Sequence, residues 1–287
     1  MRANTYVADH RYLATYWKPV RSLPVDAVTR RLVSARLSEI VAQHGATAAA
    51  RARQSLSAFF AWLISEGIAS ENPVIGTNNP GAHLRARDRV LTDGELRAIW
   101  TACRDDDFGR ILRLLMLTAA RRDEIGGLRW SEFDLDRGLL SIPGTRTKNH
   151  HPLKLTLPLA AISFLEAAPR HEGRDLIFGG GQGPFSAWSY STLSLATRIV
   201  DPIAAWRIHD ICRTVATGMA QLGVQPHIIE AVINHRSGHK AGVAGIYNRA
   251  TYEPEIARAL ALWAEHLSSI VSRMAHRIIP FNPAAAS

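Results

Sequence analysis

The protein is a basic chain of 287 residues, with a formal net charge of +9 and a hydrophobic fraction of 47 %. At about 150 residues per domain, this length predicts two domains with buried cores. No apolar run approaches the roughly 20 residues that cross a bilayer, and the first residues lack the apolar segment of a secretion signal. We therefore expect a cytoplasmic protein without membrane contact. The positive charge favours a nucleic-acid partner, although a basic enzyme would show the same balance.

Apolar residues recur at three- and four-residue spacing in residues 25–45 and again in 46–67. This pattern predicts two packed helices, with Gly67 ending the second. We interpret Phe59, Phe60 and Trp62 as helix–helix core rather than as a platform for stacked bases.

Residues 71–89 are rich in Asn, Pro and Gly and end with Arg85, Arg87 and Arg89. The composition predicts a loop. Its arginines favour a linker that lies along DNA, and a solvated basic loop is the alternative. We therefore place a helical domain at 1–80, a basic linker at 81–90 and a second domain at 91–287.

The second domain is predicted to begin with a helix that Thr92 and Glu95 cap and that runs to about Ala102. A deeply buried helix follows at 107–120. Short apolar runs and turn signals then predict strands between 128 and 157. Helices return from residue 160, interrupted by a glycine-rich stretch at 179–183. The second domain should therefore be α+β.

Five short fragments of this domain follow one another in a recognisable order, although each is weak alone. They are residues 118–130 (TAARRDEIGGLRW), 146–149 (RTKN), 209–211 (HDI), 222–223 with 233–235 (LG and INH), and 245–249 (GIYNR). In this order they resemble the tyrosine recombinases of the phage-integrase family, in particular those of prophages and satellite phages. The resemblance covers nearly the whole chain.

The resemblance implies a mainly α fold with a small β-sheet. An N-terminal helical core-binding (SAM-like) DNA-binding domain and an α+β tyrosine-recombinase catalytic domain would close around DNA as a C-shaped clamp. Lys and Arg contacts to phosphate would supply most of the affinity, which should therefore fall steeply with salt.

The implied chemistry is site-specific DNA recombination without a metal or cofactor. A tyrosine hydroxyl attacks the scissile phosphate and leaves a 3′-phosphotyrosine, and the 5′-hydroxyl of a second strand then reverses the attack. The transition state carries extra negative charge on the phosphoryl oxygens, which fixed cationic donors stabilise.

By resemblance, Arg121 grips a non-bridging oxygen with its guanidinium fork, and Glu124 orients that fork. Lys148, expected at the tip of a β-hairpin, acts as the general acid for the leaving 5′-oxygen. Without the resemblance, the first two residues would be interpreted as a surface ion pair and Lys148 as an exposed turn lysine.

The resemblance also implies that His209 and His235 bind the phosphate or move protons. The spacing of His235 and His239, with His227 nearby, raises the alternative of a metal site. No suitable third ligand follows, so we expect no metal.

Tyr247 is the implied nucleophile, because it lies twelve positions after His235 and is followed by Asn248 and Arg249. Tyr252, five residues later, is a rival. Either ring could instead pack in the core with a tethered hydroxyl. A phenol with a pKa near 10 needs help from a cationic site.

The chain departs from the family where a second catalytic arginine normally falls three residues after the histidine. That position is Cys212. Arg213 follows it, but a shift of one residue on a helix rotates a side chain by about 100°, and the family commonly has arginine at that place as well. Losing one fixed donor costs on the order of 100- to 1000-fold. We therefore hypothesise weak or absent strand exchange.

Further expectations follow from the same resemblance. Many such integrases have an additional N-terminal domain, so the chain would be a natural short form, a fragment or a decayed prophage gene. Cys103 and Cys212 should be free thiols. The helix at 256–270 would dock a partner or pack on its own domain. The residues expected to contact DNA are Arg85, Arg87, Arg89, Arg146, Arg213 and Arg249.

The expected partner is double-stranded DNA at attachment-type sites, bound by a homo-tetramer on paired sites and aided by accessory DNA-bending proteins. The expected location is the bacterial cytoplasm, at the nucleoid. Three alternatives remain: a non-catalytic DNA-binding protein on the same fold, a relaxing enzyme like type IB topoisomerases, and an unrelated basic helical protein.

Overall fold

The computed structural model describes residues 3–84, 87–235 and 250–272. The chain forms two compact units, Met1–Arg87 and Asp88–Ser287, and the division between them falls inside the predicted basic linker. Within the described ranges, no helix has both the length and the apolar character needed to cross a membrane. The assignment of the first unit to DNA binding stays a prediction.

The first unit is helical. Helix α1 spans Ala3–Arg11, and a π-helical turn with two 3₁₀ turns leads to helix α2, Arg30–Ser65. Gly45 interrupts α2 with a non-helical backbone (φ 83°, ψ 165°), which confirms the predicted boundary between two helical segments. Gly67 (φ 71°) follows the end of α2, where the amide of Ile68 donates to the carbonyl of Leu63. This is the left-handed helix ending that glycine favours.

The core of the first unit is organised around Trp17. Its ring is 1 % exposed, and its indole nitrogen donates to the carbonyl of Ala52 at 2.9 Å. The segment after α2 also packs on this core, because Val74 is fully buried and the Arg53 guanidinium bonds to the carbonyls of Val74 and Thr77. The first part of the predicted loop therefore belongs to this unit.

The aromatic cluster of α2 corrects one interpretation. Phe60 is buried in the core, but Phe59 and Trp62 are 38 % and 51 % exposed. Phe60 lies four residues after Leu56 and three before Leu63, on the same helix face. A step of two residues turns Trp62 away from that face. Phe59, three residues after Leu56 and four before Leu63, lies at the edge of the face and is also exposed, so the core interpretation is right for Phe60 and wrong for the other two.

The second unit is a helical domain that contains a small sheet, which confirms the predicted fold class. Its helices are α3 (Asp93–Ala102), α4 (Asp107–Thr118), α5 (Arg122–Gly126), α6 (Leu159–Glu166), α7 (Trp188–Ala196), α8 (Ile208–Gln221), α9 (Pro226–Val232) and α10 (Glu253–Ser272). The capping box of Thr92 and Glu95 at the start of α3 forms as predicted.

Three antiparallel strands form the sheet in the order β1 (Phe133–Asp134), β2 (Leu139–Ile142) and β3 (Leu153–Thr156). Leu140 pairs with Leu155, and Ile142 pairs with Leu153. These four side chains are buried, because alternate residues of a strand point to one face. The strands predicted between residues 128 and 157 are therefore present.

Helix α4 is the centre of this unit. Asp106 caps its start by accepting a hydrogen bond from the amide of Gly109 at 2.7 Å, and nearly all its side chains are buried. It packs against α6, α8 and α10. Ala119, in a left-handed conformation (φ 55°), ends the helix two residues before Arg121. Because Arg121 follows so closely, buried helix α4 fixes the place of Arg121 in the fold.

Helix α10 packs on its own domain. Its face with Ile256, Leu260, Trp263, Leu267 and Ile270 is buried, and the Trp263 indole nitrogen donates to the carbonyl of Met116 in α4 at 2.6 Å. Of the two interpretations offered for this segment, the intramolecular one describes this apolar face.

Close packing between α8 and α10 gives a stability prediction. A Cβ on Gly218 would lie 2.2 Å from the six-membered ring of Trp263, and overpacking of this kind costs about 1–3 kcal/mol. We expect Gly218→Ala to lower the free energy of unfolding by that amount in urea titrations. The higher helix propensity of alanine would act in the opposite direction. Gly183→Ala, where nothing lies within 4 Å of the added Cβ, is the control. Equal stability of the two variants would contradict this packing.

Candidate active site

Arg121 stands immediately before α5 and is held there by Glu124. The Glu124 carboxylate accepts from the Arg121 guanidinium Nη1 at 2.9 Å and from the Arg121 backbone amide at 3.1 Å. Glu124 is 3 % exposed and the Arg121 side chain 19 %. The pair is thus largely buried rather than a surface ion pair, and Glu124 fixes the direction of the guanidinium.

A second contact ties Arg121 to the end of α9. Its other terminal nitrogen, Nη2, donates to the carbonyl of Asn234 at 2.9 Å. Asn234 has a left-handed backbone (φ 49°), and the next amide, that of His235, donates to the carbonyl of Glu230 at 2.8 Å. The fold therefore brings the chain around His235 to Arg121, although Asn234 lies 113 positions after Arg121.

Lys148 lies in the connection between β2 and β3, residues 143–152. The strands end at Ile142 and Leu153, so this connection is longer than the tight hairpin that the turn signal suggested. Within it, the Thr147 hydroxyl bonds to the carbonyl of His151 at 2.7 Å. The Asn149 side-chain amide donates to the carbonyl of Asn234 at 2.5 Å. The loop that bears Lys148 is thereby fastened to the end of α9.

His209 lies in the first turn of α8. Partial desolvation lowers the pKa of its exposed imidazole below the ordinary value. The neighbouring cations Arg213, Lys148 and Arg121 lower the pKa further, and Asp210 opposes them. The pKa of His209 is therefore sensitive to the charges of Arg213, Lys148 and Arg121.

Cys212 lies one turn further along α8 and faces the turn that precedes Arg121. Its thiol donates to the carbonyl of Ala119 at 3.1 Å. Burial raises the pKa of the thiol, while Arg121 lowers it. The position three residues after His209 is thus beside Arg121, and the side chain there is a thiol that stays neutral at neutral pH.

Arg213 points to different partners. Its Nη1 donates to the carbonyl of Arg89 at 3.1 Å and pairs with Asp210, which is 1 % exposed, at 3.2 Å. This agrees with the rotation expected for a shift of one residue on a helix.

Two more arginines expected at DNA form ion pairs inside the second unit. Arg146 bonds to both carboxylate oxygens of Glu132, at 2.6 and 2.7 Å, and to the carbonyl of Glu124 at 3.3 Å. Arg89 pairs with Glu95. The Arg146 contacts brace α5, a role that the sequence fragments did not suggest.

Of the other proposed site residues, some lie within the described part of the chain and some outside it. Tyr247, Arg249, His239 and Arg85 lie outside the described residues, and Arg87 is exposed. The ring of Tyr252, the rival nucleophile, packs partly on the core. It meets the His227 ring edge-on at a centroid distance of 5.0 Å. The described part of the chain contains no cluster of His, Cys, Asp or Glu that would hold a metal.

Both cysteines are free thiols, as expected. Burial raises the pKa of Cys103 to about 12. Sequence reasoning missed Asn149 and Asn234, which join the loop, α9 and Arg121. The left-handed preference of asparagine was the signal available for Asn234.

The burial of the Arg121–Glu124 pair can be tested against an exposed pair with the same spacing. Arg36 and Glu39 lie three residues apart in α2, at 2.6 Å, but Glu39 is 56 % exposed. We expect Glu124→Gln to lower the free energy of unfolding by about 1–3 kcal/mol, because the buried guanidinium loses its counter-charge. Glu39→Gln should cost less than about 1 kcal/mol. Equal losses in parallel urea titrations would contradict the buried pair.

The pKa of His209 gives a pH-dependent prediction. Between the lowered native pKa and about 6.5, the unfolded chain binds a proton that the native chain does not, so this group's contribution to stability falls as pH falls below about 6.5. We expect Lys148→Met to raise the His209 pKa in an NMR titration, since it removes a nearby cation. Lys154→Met, which removes a lysine paired with Glu253, should leave the titration unchanged. An unaltered His209 pKa in Lys148→Met would show that the two groups are not coupled.

Curated relatives of the chain are DNA recombinases. The shufflon-specific DNA recombinase of Escherichia coli is 30 % identical over 174 residues, which are 60 % of this chain and 43 % of that protein. Tyrosine recombinase XerC of Xylella fastidiosa (strain 9a5c) is 31 % identical over 134 residues, 45 % of each chain. The chain thus spans less than half the length of these relatives.

Solved structures show the same fold. A lambda integrase (75–356) dimer bound to a COC′ core site matches with a TM-score of 0.64 and 18 % identity, over 83 % of this chain and 89 % of that one. The Tn1549 transposon integrase in complex with a circular intermediate DNA matches with a TM-score of 0.66 and 14 % identity, over 83 % and 87 %. The model of the phage integrase family matches residues 89–253, more than half of the chain. This protein therefore belongs to the phage integrase family.

Proposed function

We propose that this protein is a site-specific DNA recombinase whose phosphate-binding site is built around Arg121. The observation that supports this most is the Arg121 guanidinium, which Glu124 and Asn234 hold in place at the end of α9, where the loop bearing Lys148 is also fastened. The Arg121 bonds to Glu124 and Asn234 use two of the five guanidinium N–H groups, and a phosphate oxygen would take others. A donor already oriented in this way stabilises developing negative charge without further reorganisation.

In the proposed reaction, the Tyr247 hydroxyl attacks the phosphorus as the bond to the 5′-oxygen breaks. Lys148 donates a proton to that oxygen, and the proton that the Tyr247 hydroxyl loses passes to the imidazole of His209 or His235, which also bind the phosphate. Arg121 neutralises charge on a non-bridging oxygen. The product is a 3′-phosphotyrosine, which a 5′-hydroxyl of another strand resolves by the reverse step, so no cofactor is required.

Cys212 supports the proposal that this activity is weak. Its neutral thiol lies beside Arg121, where a second arginine would add positive charge to the site. Arg213 is bound to Asp210 and to the carbonyl of Arg89, which leaves it poorly placed to substitute. The same observation favours the second candidate function, a non-catalytic DNA-binding protein on this fold.

Duplex DNA is the proposed partner, and the structural relatives suggest how it is used. Among the similar structures are a lambda integrase tetramer bound to a Holliday junction, with 18 % identity and a TM-score of 0.64, and the DNA complexes described above. We propose that this chain binds attachment-type sites as a homo-tetramer on paired sites, with accessory DNA-bending proteins, at the nucleoid of a bacterial cell. Arg85, Arg87 and Arg249 are further proposed DNA contacts.

Covalent trapping tests the proposal. The parent, Cys212→Arg, Tyr247→Phe and Tyr252→Phe are incubated with nicked suicide duplexes bearing candidate attachment sites, and denaturant-stable protein–DNA adducts are measured. We expect Cys212→Arg to form the adduct on the order of 100- to 1000-fold faster than the parent, because it restores a fixed charge. Tyr247→Phe in the Cys212→Arg background should abolish the adduct, and Tyr252→Phe should preserve it.

The alternatives predict different results. An adduct that survives Tyr247→Phe and disappears with Tyr252→Phe would overturn the choice of nucleophile. A parent as active as Cys212→Arg would show that the cysteine is tolerated. If every variant binds DNA without forming an adduct, the non-catalytic function is favoured. Relaxation of supercoiled plasmids that lack an attachment site would favour the type IB activity.

A further inference from the structure

We infer that Asn234 is a positioning residue that couples the loop bearing Lys148 to the Arg121 guanidinium. This inference rests on the proposed function, because it assigns Asn234 a part in the same reaction. The structural part of the inference is that Asn234 holds the loop bearing Lys148 in place. This part does not depend on DNA and can be measured separately.

The contacts of Asn234 reach both elements. Its carbonyl accepts from Arg121 Nη2 at 2.9 Å and from Asn149 Nδ2 at 2.5 Å. Its side-chain nitrogen donates to the carbonyl of His151 at 3.0 Å, and its side-chain oxygen lies 3.2 Å from Asn149 Nδ2. One residue thus bonds to the arginine and, on two sides, to the loop.

Asparagine suits this position for two reasons. The backbone at residue 234 is left-handed (φ 49°), a conformation that most side chains adopt only at a cost but that glycine and asparagine accept. The amide also supplies both a donor and an acceptor. Glycine would keep the backbone and the carbonyl but lose the bond to His151, and aspartate would keep the acceptor but lose the donor.

The loop needs such fastening because Lys148 lies in the middle of a long connection. The sheet fixes residues 143–152 only at their ends. Arg146 anchors the part before Lys148 through Glu132 and Glu124, and the part after Lys148 is held by Asn234. Asn149 and His151, which bond to Asn234, follow Lys148 by one and three positions. A proton donor must lie within hydrogen-bond reach of the leaving oxygen, and a displacement of about 1 Å at a reacting group costs on the order of 100-fold. Asn234 therefore acts through Lys148 rather than on the phosphate.

The first measurement is hydrogen–deuterium exchange of the DNA-free full chain. Asn234→Gly should increase exchange in residues 143–152 and leave the buried helix α4 unchanged. Asn149→Ala should loosen the same loop. Combining both changes should add little, because the two residues share one network. Unchanged exchange of residues 143–152 in Asn234→Gly would overturn the inference, regardless of whether the protein cleaves DNA.

The second measurement separates positioning from general support. Cleavage is measured on two nicked duplexes, one with the natural 5′-oxygen at the scissile phosphate and one with sulfur in that bridging position. The background is whichever of the parent and Cys212→Arg forms the adduct. With oxygen, the leaving group takes a proton from Lys148. With sulfur, the P–S bond breaks to give a thiolate that needs no proton donor.

We expect Asn234→Gly to slow cleavage of the oxygen duplex about 10- to 100-fold and to leave the sulfur duplex within about 3-fold of its background. Lys148→Ala should show the same pattern more strongly, whereas Arg121→Gln should slow both substrates. Asn234→Asp should resemble Asn234→Gly, because it also lacks the donor to His151. Equal losses on both duplexes in Asn234→Gly would overturn the positioning role.

The two arms also distinguish failure of the inference from failure of the proposed function. If no background cleaves either duplex, the proposed recombinase is contradicted, while the exchange measurement still decides whether Asn234 fastens the loop. If the backgrounds cleave and Asn234→Gly behaves like its background on oxygen, the recombinase stands and the inference is wrong.

Discussion

The bonds that hold Arg121 are the constraint on which the candidate site depends. Removing a carboxylate and a guanidinium from water is costly unless each finds partners. Glu124 meets this condition by accepting from both the backbone and the side chain of Arg121. The carbonyl of Asn234 supplies the second partner, and Arg146 braces the Glu124 backbone from the other side. The guanidinium therefore has its direction before any ligand arrives.

The scaffold explains why these contacts come from distant parts of the chain. Buried α4 ends in the left-handed Ala119, which turns the chain into Arg121 and α5. Helix α8 packs on α4 and places Cys212 against the carbonyl of Ala119. Helix α9 packs on α8 and α10, and its end delivers Asn234. Apolar packing thus determines which polar groups meet, and the polar contacts then fix their orientation.

Local signals in the sequence predicted the elements well. The capping box of α3, the break at Gly45 and the helix ending at Gly67 each rest on the conformational preference of one or two residues. Periodicity predicted the burial of α4 but assigned all three aromatic residues of α2 to the core, because a cluster was interpreted without separating its helix faces. Of the three, only Phe60 lies in the buried face, and Phe59 and Trp62 are exposed.

The site was predicted less completely. The fragments located Arg121 and Glu124, which form a buried ion pair, and Lys148, whose loop is bonded to Asn234 as Arg121 is; that Lys148 and His209 act with Arg121 on one phosphate is a prediction. They did not suggest Asn234 or the bracing role of Arg146, because those roles depend on contacts between residues 22 to 113 positions apart. Local patterns do not encode such contacts. Tyr247, Arg85 and Arg249 lie outside the described residues, so their roles remain predictions.

The proposed binding of a DNA phosphate at Arg121 can be observed in a crystal structure of the chain on a nicked attachment-site duplex. We expect a phosphate oxygen within hydrogen-bond distance of the Arg121 guanidinium, with Lys148 and His209 around the same phosphate and Glu124 and Asn234 still bound to Arg121. A duplex bound elsewhere on the chain, with no phosphate at Arg121, would contradict it.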